Sequence, residues 1–254
     1  MCTLAWLRRP GGFILWHSRD ERRNRGVAIP PAVGQGDGAR WIAPRDSDSG
    51  GTWVGVNTHG IVVGIANLFV DTAAGHPARK ISRGLLVQEL LGSPTTLQVG
   101  RRLLSLDLDV YEPFTLVALS ETAAPVILRW DRVSLADVVP LGEILLVTSA
   151  GGSSDIEQQR KSLFRDRGLS AEQIESLYRA APDSVLASVC VHRPEVSTVS
   201  LTRIEVAPAL VSLTYTPGQP CQTVPAPAIV LDRVDQPGRE ASTPYKGNIG
   251  SPGS

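Results

Sequence analysis

Three blocks of short β-type runs, separated by two pairs of helical segments, constrain the fold of this chain more than any other feature of its sequence. Residues 3–7 and 13–16 flank Pro10-Gly11-Gly12, and residues 50–57 and 61–66 flank Thr58-His59-Gly60, so each pair reads as a hairpin. Apolar residues at helical spacing over 82–91 stop at Gly92-Ser93-Pro94, and a second helix is expected over 95–106. Strands return at 114–119, 126–130 and 143–148. Ser153-Ser154-Asp155 then opens a helix to about residue 167. Ser170 and Gln173 have capping-box spacing at the head of another, ending near residue 180. Strands at 188–191, 198–206 and 210–215 finish the pattern. Hairpins grouped in blocks, with helices grouped between them, predict an α+β sandwich: two sheets face to face with helices outside. Alternating β-α-β units and a Gly-rich phosphate fingerprint are missing, which argues against Rossmann and P-loop folds. The Pro/Gly-rich stretch 26–48 reads as a long irregular loop that shapes a pocket.

With 254 residues, 42% of them hydrophobic, the chain can bury one full core. The expected organisation is a single domain over 1–224 and a Pro/Gly-rich tail over 225–254. Twenty-five basic and 25 acidic side chains cancel, so no net field recruits nucleic acid or an anionic membrane. No run approaches the roughly 20 apolar residues needed to span a bilayer, and no cleavable leader is evident; a soluble, cytoplasmic protein is expected. Cys2, Cys190 and Cys221 are odd in number and lack CxxC spacing, so reduced thiols are expected, with Cys190 a small buried hydrophobe. His17, His59, His76 and His192 fall on separate elements without ligand spacing, so no metal site is expected.

Cys2 carries the chemistry. Loss of Met1, which a small second residue permits, would put a thiol and a free α-amine on one residue. The amine titrates near pH ~8 and the thiol near ~8.5, so the amine can take the thiol proton during attack without a separate histidine. The plainer reading of Cys2 is a small residue beginning a first strand. Arg19-Asp20-Glu21 fits a solvated turn, Asn67 an amide serving its own backbone, and Arg160 a helix-surface side chain. Gly50-Gly51-Thr52-Trp53 fits a tight turn with a packed indole.

Several of these segments occur together in a known pattern. Met1-Cys2-Thr3-Leu4, Ser18-Arg19-Asp20-Glu21, Arg45-Asp46 followed by residues 50–57, Ala66-Asn67, residues 189–193 and Thr198-Val199-Ser200 resemble the NRDE family, the transport and Golgi organisation protein 2-like proteins, over roughly residues 1–217. The family's tetrad begins with asparagine, and this chain has Ser18. That family is similar to the choloylglycine hydrolase and penicillin acylase branch of cysteine N-terminal nucleophile (Ntn) hydrolases, which implies a four-layer αββα sandwich.

The resemblance makes Cys2 the nucleophile and places Asp20 beside its amine. Arg19 would supply the charge of an arginine whose place His17 occupies. Asn67 would be an oxyanion donor, Arg160 would match a late active-site arginine, and Ser149 would stand where asparagine is common. Trp16 and Trp53, with Trp6, would bound a substrate pocket. The implied reaction is hydrolysis or acyl transfer at a non-peptide carbon–nitrogen bond of a small amide, with no external cofactor. The alternative is a non-catalytic haem- or lipid-handling or trafficking protein on the same fold, with haem bound through Cys2 or a histidine.

Overall fold

Period-two burial in the first hairpin sorts the chain between two cores. The computed structural model describes residues 2–70, 81–138, 145–148, 154–165, 168–181 and 189–234. Strands β1 (Cys2–Arg9) and β2 (Gly12–Arg22) form that hairpin, followed by β3 (Ile29–Gly36), β4 (Ala39–Arg45), β5 (Val54–Asn57) and β6 (Val62–Asn67). Helices α1 (Arg83–Leu90) and α2 (Thr96–Leu104) lead to β7 (Phe114–Leu119), β8 (Val126–Trp130), β9 (Leu135–Asp137) and β10 (Leu145–Thr148). Helices α3 (Ser154–Arg165) and α4 (Ala171–Arg179) precede β11 (Val196–Val206), β12 (Leu210–Pro217) and β13 (Ile229–Asp232).

One sheet has the order β10-β1-β2-β11-β12-β13 and the other runs β3 to β9 in sequence, every pairing antiparallel. Alternation sends Cys2, Leu4, Trp6, Phe13 and Leu15 into the core between the sheets, with Val54, Val56 and Val62 of the facing sheet. Ala5, Ile14 and Trp16 point the other way and meet Phe164 of α3 and Ile174 and Tyr178 of α4. Helices α1 and α2 bring Leu86, Val87, Leu90, Val99 and Leu103 to the far side of the second sheet. The result is the expected α+β sandwich in four layers, αββα. Because β2 is covered on both faces, its residues from Gly12 to Asp20 are all buried.

The cap of α4 is the one the sequence predicts. Ser170 Oγ accepts from Gln173 N while Gln173 Oε1 accepts from Ser170 N, which closes the capping box of α4. Thr95 caps α2 by accepting from Gln98 N.

Four expectations need correction. The charged run after Trp16 is not a turn, because β2 continues through Arg22 and takes Arg19 and Asp20 inside. The stretch 26–48 is not an irregular loop, since β3 and β4 form a hairpin within it. Its signal was hidden because β3 is an exposed edge strand, where Pro30 and Pro31 are tolerated and no apolar alternation is needed. Of the strand expected over 188–191, Ser188 lies outside the described residues and 189–191 carry no strand, only an isolated bridge from His192 to Ser197 nearby. The Pro/Gly-rich tail expected from Pro225 contributes β13 to the first sheet, and residues 235–254 lie outside the described set.

The connection from β4 to β5 holds the second sheet against α1. Gly50 takes a left-handed φ of 73°, and Thr52 N donates to Gly84 O at 2.9 Å. A Cβ on Gly51 would lie 2.3 Å from the Gly84 carbonyl carbon and 2.5 Å from Leu85 N, both backbone atoms with no room to yield. Gly51→Ala is therefore expected to cost about 2 kcal/mol. A thermal melt should read this as a Tm lowered by roughly 4–8 °C.

Candidate active site

Strand register sets the site. Cys2 pairs with Arg19 across the β1–β2 hairpin, so both side chains point into the space between the sheets. There they line a cavity of about 350 Å³, together with Asp46, Trp53, Asn67 and Arg83. Burial pushes the Cys2 thiol up to about 11, opposed first by the chain's α-amine and less by the Arg19 guanidinium, while the carboxylates of Asp20 and Glu21 add to the rise. At neutral pH, with Met1 in place, it is a protonated and weak nucleophile.

Arg19 is held from three sides. Its guanidinium lies 4.3 Å from the centroid of the Trp53 ring, pairs with Asp46, and comes within 3.3 Å of Glu21. Asp46 is the anchor of this group. One carboxylate oxygen accepts from the backbone N–H groups of Asp48 and Ser49 and from the Ser49 hydroxyl; the other takes Arg19 and Arg25. Burial raises the Asp46 carboxyl, but the Ser49 bonds and Arg25 outweigh it and hold the group below the ordinary carboxylate range. His17, two residues before Arg19 on the same face, is pushed down to about 4 by burial, so it is neutral and donates through Nε2 to Ile65 O at 3.3 Å. Arg19, Arg25 and Arg83 bring positive charge to this cavity.

The opposite face of the same hairpin carries a second polar layer. Asp20 follows Arg19 on β2, so strand alternation turns it to the face opposite the Cys2–Arg19 pair. Asp20 Oδ1 accepts from the Thr198 hydroxyl at 2.6 Å, and that hydroxyl accepts from Val191 N at 2.8 Å. A bulge at Val199 shifts the β11 register here, so Thr198 pairs with Asp20 and Ser200 with Arg19. Burial raises the Asp20 carboxyl against the pull of Arg160 and Thr198. Arg160 is fully buried and donates to the Thr3 hydroxyl at 2.8 Å, so it is not a helix-surface residue.

The structure thus gathers Cys2, Arg19, Asn67 and Trp53 around the cavity and sets Asp20 and Arg160 on the layer behind it. Trp16 falls outside the cavity, fully buried against the outer helices, and Trp6 lies in the core between the sheets. Ser149 lies outside the described residues. The β3–β4 hairpin does not line this cavity either; the wall is built from the 46–53 turn and the start of α1. Sequence reasoning missed Arg83, which donates to Pro113 O at 2.7 Å and reaches the cavity from the first turn of α1. Nothing in the helix pattern distinguishes it from a solvated arginine.

A second group was also missed. Cys190, His192 and Cys221 converge, with their Sγ and Nε2 atoms 3.1–3.4 Å apart. The Cys-x-His spacing was present in the sequence, but Cys221 arrives only through the β11–β12 hairpin.

The first 160 residues match the model of the family described as Transport and Golgi organisation 2. No curated protein sequence matches the chain. Among solved structures, penicillin V acylase from Agrobacterium tumefaciens is similar with a TM-score of 0.54 at 13% identity, covering 85% of this chain and 83% of its own. The C2A mutant of the conjugated bile acid hydrolase from Clostridium perfringens gives a TM-score of 0.54 at 11% identity, covering 98% of this chain and 100% of its own. The fold is that of the Ntn hydrolases.

Asp46 yields a prediction with a definite sign. Its folded carboxyl titrates below its unfolded value, so its contribution is present above the ordinary carboxylate range and is lost as pH falls through the folded value. Asp46→Asn should cost about 3 kcal/mol at neutral pH by taking from the buried Arg19 the nearer of its two carboxylate partners. Urea unfolding of both proteins should show that gap shrinking in strong acid; a gap independent of pH would contradict the assignment.

Proposed function

The chain belongs to the Transport and Golgi organisation 2 family, and from that premise we propose that it is a cysteine Ntn hydrolase or acyltransferase acting on the amide bond of a small molecule. One observation carries the reading. Cys2 opens into a cavity, and the residue after its cross-strand partner Arg19 is the buried Asp20 on the opposite face. A cysteine that merely began a strand would require neither.

Cleavage of the Met1–Cys2 bond frees the α-amine next to Asp20. Asp20 holds the resulting amine or ammonium in line through a charge-assisted hydrogen bond, and Thr198 fixes the carboxylate. The amine takes the thiol proton as sulfur attacks the substrate carbonyl. The Asn67 amide and a backbone N–H receive the oxyanion, and the ammonium returns its proton to the departing nitrogen. Water or a second amine then resolves the thioester. Arg19, pinned over Trp53, keeps positive potential beside the developing thiolate, and Arg160 steadies Thr3 and Asp20 from behind. The solved relatives are named for penicillin V and conjugated bile acids; small amides of that kind are the class proposed here.

The test is intact mass spectrometry of the protein after exposure to a panel of activated N-acyl amides. Protein lacking Met1 should gain one acyl group, and Cys2→Ala should gain none while folding normally. Asn67→Ala should lower kcat by about 10²–10³-fold. Undiminished acylation of Cys2→Ala would refute the nucleophile.

A further inference from the structure

We propose that Cys190, His192 and Cys221 bind a zinc ion. The three residues come from two separate segments, the stretch leading into β11 and the turn following β12, yet their donor atoms close into one triangle. Cys190 Sγ lies 3.4 Å from both His192 Nε2 and Cys221 Sγ, and His192 Nε2 lies 3.1 Å from Cys221 Sγ. Tetrahedral zinc, with Zn–S near 2.3 Å and Zn–N near 2.0–2.1 Å, requires edges of about 3.4–3.8 Å between such donors. The triangle therefore accepts the ion with shifts of a few tenths of an ångström. Two thiolates and an imidazole are a soft and borderline donor set, which suits zinc and excludes calcium and magnesium. The group is distinct from the Cys2 cavity, because none of its members lines that space.

Binding is a proton exchange without redox change: two thiol protons leave and two sulfur–zinc bonds and one nitrogen–zinc bond form. Cys190 is buried while His192 and Cys221 are partly exposed, so water can reach the group to supply a fourth ligand.

The position in the fold gives the ion a task. The β12 turn is already tied to the bulge, because Gly218 N donates to Val199 O at 2.8 Å, and to α4, because Arg179 donates to Pro220 O at 3.2 Å. On the other side Val191 bonds both ways with Thr198, through Val191 N to the hydroxyl and Thr198 N to Val191 O. Zinc would clip the 189–192 segment to the turn and so fix Thr198, whose hydroxyl holds Asp20.

The test uses the full chain expressed with zinc and purified under reducing conditions. One zinc per chain by elemental mass spectrometry is expected, along with a thiolate-to-metal charge-transfer band and tetrahedral ligand-field bands after exchange for cobalt(II). Cys221→Ala and His192→Ala should each lower the metal content at least about tenfold with an unchanged circular dichroism spectrum. Cys2→Ala should keep its full complement, which separates this site from the proposed nucleophile. Wild-type protein that carries no zinc and gives no cobalt bands would overturn the proposal. So would metal content indifferent to both ligand variants, or an intact mass two hydrogens lighter, the mark of a Cys190–Cys221 disulfide.

Discussion

The pairing of Cys2 with Arg19 across the first hairpin is the constraint on which the rest of the site depends. A strand has only two faces, so this register commits Cys2 and Arg19 to the space between the sheets and Asp20 to the layer beneath the outer helices. A slip by one residue would exchange every one of these assignments. The register is over-determined: β2 is covered on both faces, pairs with β11 along its other edge, and buries nine consecutive residues. Chemistry placed on such a strand is positioned by the core itself.

Burying charge on both faces of one strand requires compensation on each. On the cavity side Arg19 is met by Asp46, Glu21 and the Trp53 ring, and Asp46 in turn by backbone donors of its own turn. On the helix side Asp20 is met by Thr198 and by the charge of Arg160. The two layers are different in kind. The Asp46 group is saturated with donors and keeps its charge, whereas Asp20 is desolvated enough that its carboxyl is raised. A carboxyl in that state gains from a nearby cation, and the chain's α-amine is the largest charge opposing its rise.

Much of this was legible in the sequence, for identifiable reasons. The block order of hairpins and helices fixed the layers, and strong signals such as Ser170 with Gln173 placed helix starts closely. What escaped was whatever depends on contacts distant along the chain. Arg19-Asp20-Glu21 has the composition of a solvated turn, and only the flanking strands show that it continues β2. Residues 29–36 form a strand because an edge tolerates prolines, not because their pattern is β-like. Trp16 is as aromatic as Trp53, and strand parity alone sends it to the other core. The triangle of Cys190, His192 and Cys221 escaped because only two of its members are close in sequence and the whole β11–β12 hairpin separates them from Cys221.

The central claim is that an amine released at Cys2 activates a thiol that burial otherwise suppresses. It is tested most directly by the pH dependence of Cys2 alkylation in protein with and without Met1, with Cys190 and Cys221 replaced by alanine to isolate the signal. With Met1 retained, the rate should climb toward the raised value of about 11; with the amine exposed, it should level off several pH units lower, near neutrality. Identical profiles for the two forms would contradict the account.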